Sequence, residues 1–556
     1  MFKRRRSEKM RKWKLLILIV FFLSIGFFSF HYYMGKLLET ANSALDSGDL
    51  KKAELYYLKV TKLPFSNARG HDGLGVVALL QHRDEDAKNH FQVVLANNAT
   101  SNKSNIESAL NVFLAKGAYR QGEVYRQFLN QWLKDDLKEN FVDFAIISLG
   151  NFELAQARGF LSNAPELLKQ TDEYKNALSM ADRYESEGEI PILLDRKGEP
   201  LMVFSLISNN YEYVTPQLFT SWPEKSGYGK ILDESDWKNR ISTTIDLDLQ
   251  RVAHQALKGY EGSIIVMNHK NGEILAAYGT KGISPFIHTF EPGSVIKILT
   301  YGAFIEQNGN ASHYAPKQYP GNMQIAGKIF YDWKAHDYIN SIDEGMAVSC
   351  NLMFAQMGVD MGWATLRKTY NRFFERNKKT FLLGTMSSGE ILAIPKDDFE
   401  MGRIAIGLDG LSSTVVGLIQ IPSAIANNGI SCSPKMLLNC TTIFGDTYKV
   451  SDEAETRKMF QTTTASALMK SMEKAVTFEN GTARRAHVDG VEVALKTGTA
   501  GARPFDSIMI GIINPADPKL VFAFHLYKGG KCEINGALVA SRLQSQIRVI
   551  APQYLK

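Results

Sequence analysis

At 556 residues, 45% of them hydrophobic, the chain is too long for one small domain and has enough apolar residues for large cores. The net charge of +6 sits at one end: residues 1–14 hold eight Lys or Arg against Glu8, a net of +7, so the other 542 residues sum to −1. Basic residues clustered on a folded domain, which a nucleic-acid surface needs, are absent, so no nucleic-acid partner is expected.

The basic tail, residues 1–14, precedes Leu15 to Met34, about twenty residues without Asp, Glu, Lys or Arg. That length spans a bilayer core, and the basic flank predicts a cytoplasmic N-terminus with the rest of the chain outside. A cleaved leader would end in small residues; Phe27, Phe28, Phe30, Tyr32 and Tyr33 are bulky instead, so residues 15–34 read as a retained single-pass anchor.

Residues 35–185 carry helical periodicity and a repeat. Ala53 and Ala87 are 34 apart, as are Tyr57, Phe91 and Tyr125. Small residues where helices pair, followed by an aromatic in the next layer, predict tetratricopeptide-like repeats, which bind peptides or protein partners. An ordinary helical bundle is the alternative. Residues 186–241 form a short β-rich linker, with strand, turn, strand read over Ile190 to Leu201. Within 242–556, strands are expected around Ser263–Asn268, Glu273–Tyr278, Val491–Leu495, Ser507–Ile513 and Leu520–Leu526. Helices are expected from Ser294 past Phe304 and from Ser349 to Met357. Early strands, central helices and late strands predict an α+β fold with one antiparallel sheet flanked by helices.

The chemistry gathers at Glu291-Pro292-Gly293-Ser294-Val295-Ile296-Lys297. On a helix, Ser294 and Lys297 share a face about one turn apart. A lysine kept neutral can take the serine proton, and the helix N-terminus offers N–H groups to an oxyanion. Ser-x-x-Lys alone is weak, and Ser471-Met472-Glu473-Lys474 is a second copy. Only the first is followed in order by Ser349-Cys350-Asn351 and Lys496-Thr497-Gly498, at separations of 55 and 147 residues. Singly, these read as helix caps and a strand end; in this order they are a signature.

From about Ser242 onward the chain resembles the transpeptidase domain of class B penicillin-binding proteins. The supporting phrases are Thr243-Thr244-Ile245-Asp246 with Leu249-Gln250, Asn271-Gly272-Glu273-Ile274-Leu275-Ala276, Gly481-Thr482-Ala483 and Lys496-Thr497-Gly498-Thr499-Ala500. The glycosyltransferase signature of the bifunctional class A proteins has no counterpart between anchor and catalytic segment. The linker departs from the family, whose β-rich pedestal is larger.

The resemblance implies a serine penicillin-recognising transpeptidase fold, catalytic residues Ser294 (nucleophile), Lys297 (base), Ser349 and Lys496, and substrate contacts from Asn351, Thr497, Gly498 and Thr499. The backbone N–H groups of Ser294 and Thr499 would form the oxyanion hole. It implies D,D-transpeptidation of peptidoglycan stem peptides, acylation by β-lactams, a place on the outer face of a bacterial inner membrane, and a membrane glycosyltransferase partner of the shape, elongation, division and sporulation group. A D,D-carboxypeptidase, a β-lactamase and a non-catalytic scaffold acting through its repeats remain alternatives. The Glu-x-x-Leu-Asn motif of class A β-lactamases has no match between Asn351 and Lys496; Glu390-Ile391-Leu392-Ala393-Ile394 fails at its last two positions.

No cofactor and no metal are expected, and no His or Cys spacing reads as a zinc motif. Cys350, Cys432, Cys440 and Cys532 permit disulfides, Cys432 with Cys440 by proximity, or free thiols equally. Cys350, between two motif residues, reads as a packing residue.

Overall fold

The computed structural model describes residues 2–64, 67–97, 103–115, 118–133, 140–222, 240–280, 282–374, 379–381, 384–441, 447–449 and 455–555. The chain begins with a 45-residue helix, α1 (Phe2–Asp46). Among the described residues no helix is long and apolar enough to cross a membrane. Ten residues of the expected anchor, Leu15–Met34 (residues 15–23 and 25), have side chains that lie outside the described ones.

Eight further helices form the arm: α2 (Leu50–Thr61), α3 (Asn67–Leu80), α4 (Asp84–Ala96), α5 (Lys103–Ala115), α6 (Tyr119–Leu133), α7 (Phe141–Gly150), α8 (Leu154–Ser162) and α9 (Asp172–Glu187). Asp49 starts α2 by accepting the Lys52 N–H at 3.1 Å, and Gly188, at φ +67°, ends α9 where a left-handed residue is needed. The 34-spaced residues Ala53, Tyr57, Ala87, Phe91 and Tyr125 are all buried. Glycines make room for the rings: a Cβ on Gly73 or Gly75 would lie 2.3 Å from the Tyr57 or Phe91 ring.

The linker is not a separate unit. Strands Glu189–Leu194 and Pro200–Ser205 pair around a turn in which Asp195 accepts the N–H groups of Lys197 and Glu199 at 2.7 and 2.9 Å. Strand Asn210–Tyr213 extends them. On the other side, Arg240–Thr243, Leu437–Thr441 and Thr447–Lys449 complete one six-stranded sheet, so the expected boundary near 241 runs through shared hydrogen bonding.

The second sheet has five antiparallel strands in the spatial order Val493–Ala500, Asp506–Ile513, Leu520–Leu526, Gly262–Met267, Ile274–Gly279. The chain's early and late segments meet in it, as expected from their order. Its strands read as continuous apolar runs because both faces are covered. Ile264, Val266, Phe522 and Phe524 join the core under helices Leu247–Ala256 and Ala537–Ile550, whereas Ile265, Met267, Val521 and Ala523 join the core holding helix Lys297–Glu306. Alternate residues thus feed opposite cores. Val493–Ala500 is an edge strand, and its middle lies against the turn that carries Ser294.

Candidate active site

Ser294 sits in a 3₁₀ turn, Gly293–Ile296, that runs into the α-helix Lys297–Glu306; the expected single α-helix begins three residues later. Two glycines let this turn lie between neighbours. Gly293 (φ +56°) donates its N–H to Gly407 O at 3.0 Å, and a Cβ on Gly407 (φ +87°) would lie 2.0 Å from Gly293 O. On the opposite side, a Cβ on Gly498 would stand 3.0 Å from Pro292 O and from Val295 Cγ2, so the edge strand comes this close only because residue 498 is glycine.

Ser294, Ser349, Asn351, Thr497, Gly498 and Thr499 line one cleft of about 660 Å³. Lys297 and Lys496 are fully buried beneath it. Ser349 joins the two lysines: its Oγ accepts from Lys297 Nζ at 3.2 Å and from Lys496 Nζ at 3.0 Å. Lys297 Nζ also donates to Ser349 O at 2.7 Å and to Asn351 Oδ1 at 2.6 Å, and Lys496 Nζ to Thr497 O at 2.8 Å. None of these bonds goes to Ser294, which lines the cleft. All eight residues singled out in the sequence therefore meet, across 205 positions of chain from Ser294 to Thr499, a separation no local interaction could bridge.

Two buried ammonium groups cannot both stay charged cheaply. Burial lowers Lys297 to about 8, against the opposing pull of Asp332 and Cys350. Burial, reinforced by the charge of Lys297, drives Lys496 well below the usual lysine range. Neutral amine is thus accessible near neutral pH beside Ser349.

Several contributors were not singled out as site residues in the sequence. Ser349 is left-handed, at φ +57°, and its motif straddles a break: helix Ile342–Ala347 ends before it and helix Asn351–Met361 begins after it, so the expected helix start at Ser349 moves two residues on. Asp332 Oδ2 accepts the N–H groups of Asn351 at 2.9 Å and Leu352 at 3.2 Å, and the Cys350 thiol at 3.2 Å, capping the second helix from 19 residues away. Thr482, of the Gly481-Thr482-Ala483 phrase, shares a 2.7 Å hydroxyl bond with Thr497. Asp332, His336 and Cys350 also place one ligand-type atom each within 4.8 Å of one another.

The second Ser-x-x-Lys is structural. Ser471, buried mid-helix, bonds the Asp343 carboxylate, and Lys474 pairs with Glu344 at 3.2 Å. Of the two readings left open for the cysteines, Cys350, Cys432 and Cys532 are free thiols, Cys432 donating to Lys270 O at 3.2 Å, while the Cys440 side chain lies outside the described residues.

Residues 262–545 match the model of the penicillin binding protein transpeptidase domain. Stage V sporulation protein D of Bacillus subtilis is 26% identical over 302 residues, 50% of this chain and 46% of that protein. Penicillin-binding protein PbpB of Mycolicibacterium smegmatis is 28% identical over 298 residues, 47% of this chain and 44% of that one. The chain thus spans less than half the length of these curated relatives. The crystal structure of the D,D-transpeptidase domain of a peptidoglycan glycosyltransferase from Eggerthella lenta superposes with a TM-score of 0.58 at 22% identity, over 66% of this chain and 99% of that one. At that identity the likeness speaks for the fold.

Proposed function

Because the chain belongs to the penicillin-binding protein transpeptidase family, we propose that it is a peptidoglycan D,D-transpeptidase working through a serine acyl-enzyme. The observation that carries this reading is the bridge Lys297–Ser349–Lys496 beneath Ser294, two buried lysines sharing one hydroxyl at 3.2 and 3.0 Å.

In this reading the stem peptide lies along the edge strand Val493–Ala500 as an added partner, with Asn351 on its other side. Lys297, as neutral amine, accepts the Ser294 proton while Ser294 Oγ adds to the carbonyl of the penultimate residue. The N–H groups of Ser294 and Thr499 hold the oxyanion. The tetrahedral centre collapses by breaking the peptide bond to the terminal D-Ala, whose nitrogen takes a proton through Ser349. A second stem peptide's amine then attacks the ester and frees Ser294. Lys496 and Thr497 hold the terminal carboxylate, whose charge stabilises a protonated Lys496 once substrate is bound. β-Lactams enter by the same first step and remain as the ester.

The reading extends beyond the catalytic domain. Leu15–Met34 is an anchor in the bacterial inner membrane with the basic tail inside, and the 34-residue pattern of buried Ala and aromatic residues makes the arm a repeat platform for a protein partner.

The test is labelling by a fluorescent penicillin. Wild-type protein should take a label stable for many minutes, and Ser294→Ala should take none. Folded wild type that stays unlabelled, or labels and releases within seconds, would defeat the reading, the second result pointing to a β-lactamase. Incubation with two stem peptides then separates cross-linked dimer from trimmed monomer, the product of a carboxypeptidase.

A further inference from the structure

We propose that the rim of the helical arm next to the anchor, built on Lys36, Lys59, Lys62 and Arg69, is a binding surface for anionic phospholipid headgroups. The inference rests on the reading of Leu15–Met34 as a membrane anchor and adds a second membrane contact beside it.

Anchor and arm share one helix. α1 runs unbroken from Phe2 to Asp46, and from Met34 onward it is already part of the first core of the arm. No linker separates the two. Trp13 is 62% exposed and Tyr32 73% exposed, and the nineteen residues of helix between their positions span about 29 Å, the thickness of a hydrocarbon core. Aromatic side chains gather at the two surfaces of a bilayer, so Tyr32 and Tyr33 mark the outer one. Lys36 follows within a turn and is exposed.

α2 returns to that level. A three-residue turn with Gly48 at φ +76° joins it to α1, and the Tyr57 hydroxyl donates to Asn42 Oδ1 at 2.7 Å, so α2 runs back along α1. Lys62, the C-cap of α2, lies about 7 Å further on, near the height of Lys36. α3 starts from the same rim: a Cβ on Gly70 would lie 2.7 Å from Thr61 N, which brings in Arg69.

The rim is charged for lipid phosphate. On α2, Ala53, Tyr57 and Val60 are buried, whereas Lys51, Lys52, Leu55, Leu58, Lys59 and Lys62 are exposed. That face holds no acid; Glu54, at its edge, pairs with Arg83 at 2.7 Å. Lys36, Lys59, Lys62 and Arg69 make no ion pair among the described residues. Glu39 is the one exposed acid near them on the described part of α1 to α3. The opposite rim, at the turns after α1 and α3, carries Asp46, Asp49, Asp84, Glu85 and Asp86, which outnumber Lys51, Lys52 and Arg83. Cations are drawn to an anionic surface within a Debye length, about 8 Å at physiological salt. Lys59 and Lys62 fall inside that reach. Lys51 and Lys52, on the same face but about 15 Å higher, fall outside it. Leu58, 43% exposed beside Lys59, adds an apolar side chain at headgroup depth. With two attachments to the bilayer the arm stands at a fixed angle, which one helix alone leaves free.

The experiment places the full chain in nanodiscs of phosphatidylcholine, with or without phosphatidylglycerol, and acetylates lysines briefly, each position being read by mass spectrometry. Phosphatidylglycerol should slow acetylation of Lys36, Lys59 and Lys62 by at least about fivefold and leave Lys51 and Lys52 within about twofold. In the double variant Lys59→Gln, Lys62→Gln, Lys36 should lose most of that protection. Slowing of Lys51 and Lys52 as large as that of Lys59 and Lys62, or equal rates in the two lipids for a chain that sits in the discs, would overturn the rim contact and leave the anchor standing. A chain that does not enter the discs would overturn the anchor and the rim contact together.

Discussion

Lys297 shows what the site demands of single residues. A buried ammonium is unfavourable, and the three acceptors around it, Ser349 O, Ser349 Oγ and Asn351 Oδ1, offset only part of the penalty. The compromise is a group lowered to about 8 by burial, with Asp332 and Cys350 opposing and Lys496 sharing Ser349. In the proposed role of base the neutral form acts, so the protonated fraction would be inactive. Acylation by a slowly reacting penicillin should rise about tenfold per pH unit below about 8 and level off above it. Stopped-flow labelling from pH 6 to 9.5 reads this directly; a rate flat across that range would remove Lys297 from the role of base. Ser349→Ala takes away the hydroxyl between the lysines and should slow acylation by about 10²–10⁴-fold while the folded state persists. The eight motif residues were legible because their order along the chain survives any change in the residues between them. Asp332 was not, since a lone aspartate has no pattern and its partners lie 18 to 20 positions away. Nor was the left-handed Ser349, because serine carries none of the signal that glycine gives for a positive φ.

At the scale of elements, the turn that carries Ser294 is held between a loop and a strand. Gly407 backs it from one side and Gly498 faces it from the other. Both are places where a methyl group has no room, yet they differ in kind. Gly407 is left-handed and would set its Cβ 2.0 Å from Gly293 O, a backbone atom that cannot swing away. Gly407→Ala should therefore destabilise the catalytic domain by about 2 kcal/mol or more and slow acylation with it. Gly498→Ala meets Pro292 O and Val295 Cγ2 at 3.0 Å and has ordinary strand geometry. It should displace the edge strand by a few tenths of an ångström, leave the melting temperature within a few degrees of wild type, and still slow acylation at least about tenfold, since the cleft wall moves. Melting curves paired with labelling rates separate the two; equal loss of stability in both variants would refute the distinction. Four strands of the five-stranded sheet were readable as apolar runs to within a residue, but the strand expected over Val491–Leu495 runs Val493–Ala500, because Lys496-Thr497-Gly498 carries no apolar signal. Their partners were not, because a run buried on both faces carries no alternation to say which side meets which core. The pairing of the linker's strands with Arg240–Thr243 and beyond was not readable for a related reason. Its sheet closes through Leu437–Thr441, more than 190 residues away from strand Arg240–Thr243, a pairing that no local pattern announces.

Across the whole molecule, the hydrophobic clusters say which parts depend on one another. Helices α2 to α6 build one core with the end of α1, from Met34 to Leu129, joined by Phe144 and Ile147. Residues of α7 to α9, among them Val142, Ala157 and Tyr184, belong instead to the large core that continues through the linker sheet to Ile298 and Leu299 on the nucleophile helix. Leu114 and Phe160, each packed against both cores, connect them. The 34-spaced residues Ala53, Tyr57, Ala87, Phe91 and Tyr125 all lie in the first core, so the mechanical division falls beyond them. The division predicts that damage in the first core stays there. Gly73→Val would press a side chain onto the Tyr57 ring, which is 1% exposed and tied by its hydroxyl to Asn42 at 2.7 Å, so the ring cannot turn aside. Overpacking of this kind costs about 1–3 kcal/mol. The arm should melt earlier and be nicked by protease between α2 and α4, while penicillin acylation stays within about twofold of wild type. An equivalent insult on the other side of the division, Ala177→Leu at a fully buried position of α9, should lower arm stability and acylation together, because that helix packs into the core that carries the nucleophile. If Gly73→Val slowed acylation as much as Ala177→Leu, the two cores would be one cooperative unit, and the arm would be part of the catalytic machinery instead of a platform attached to it.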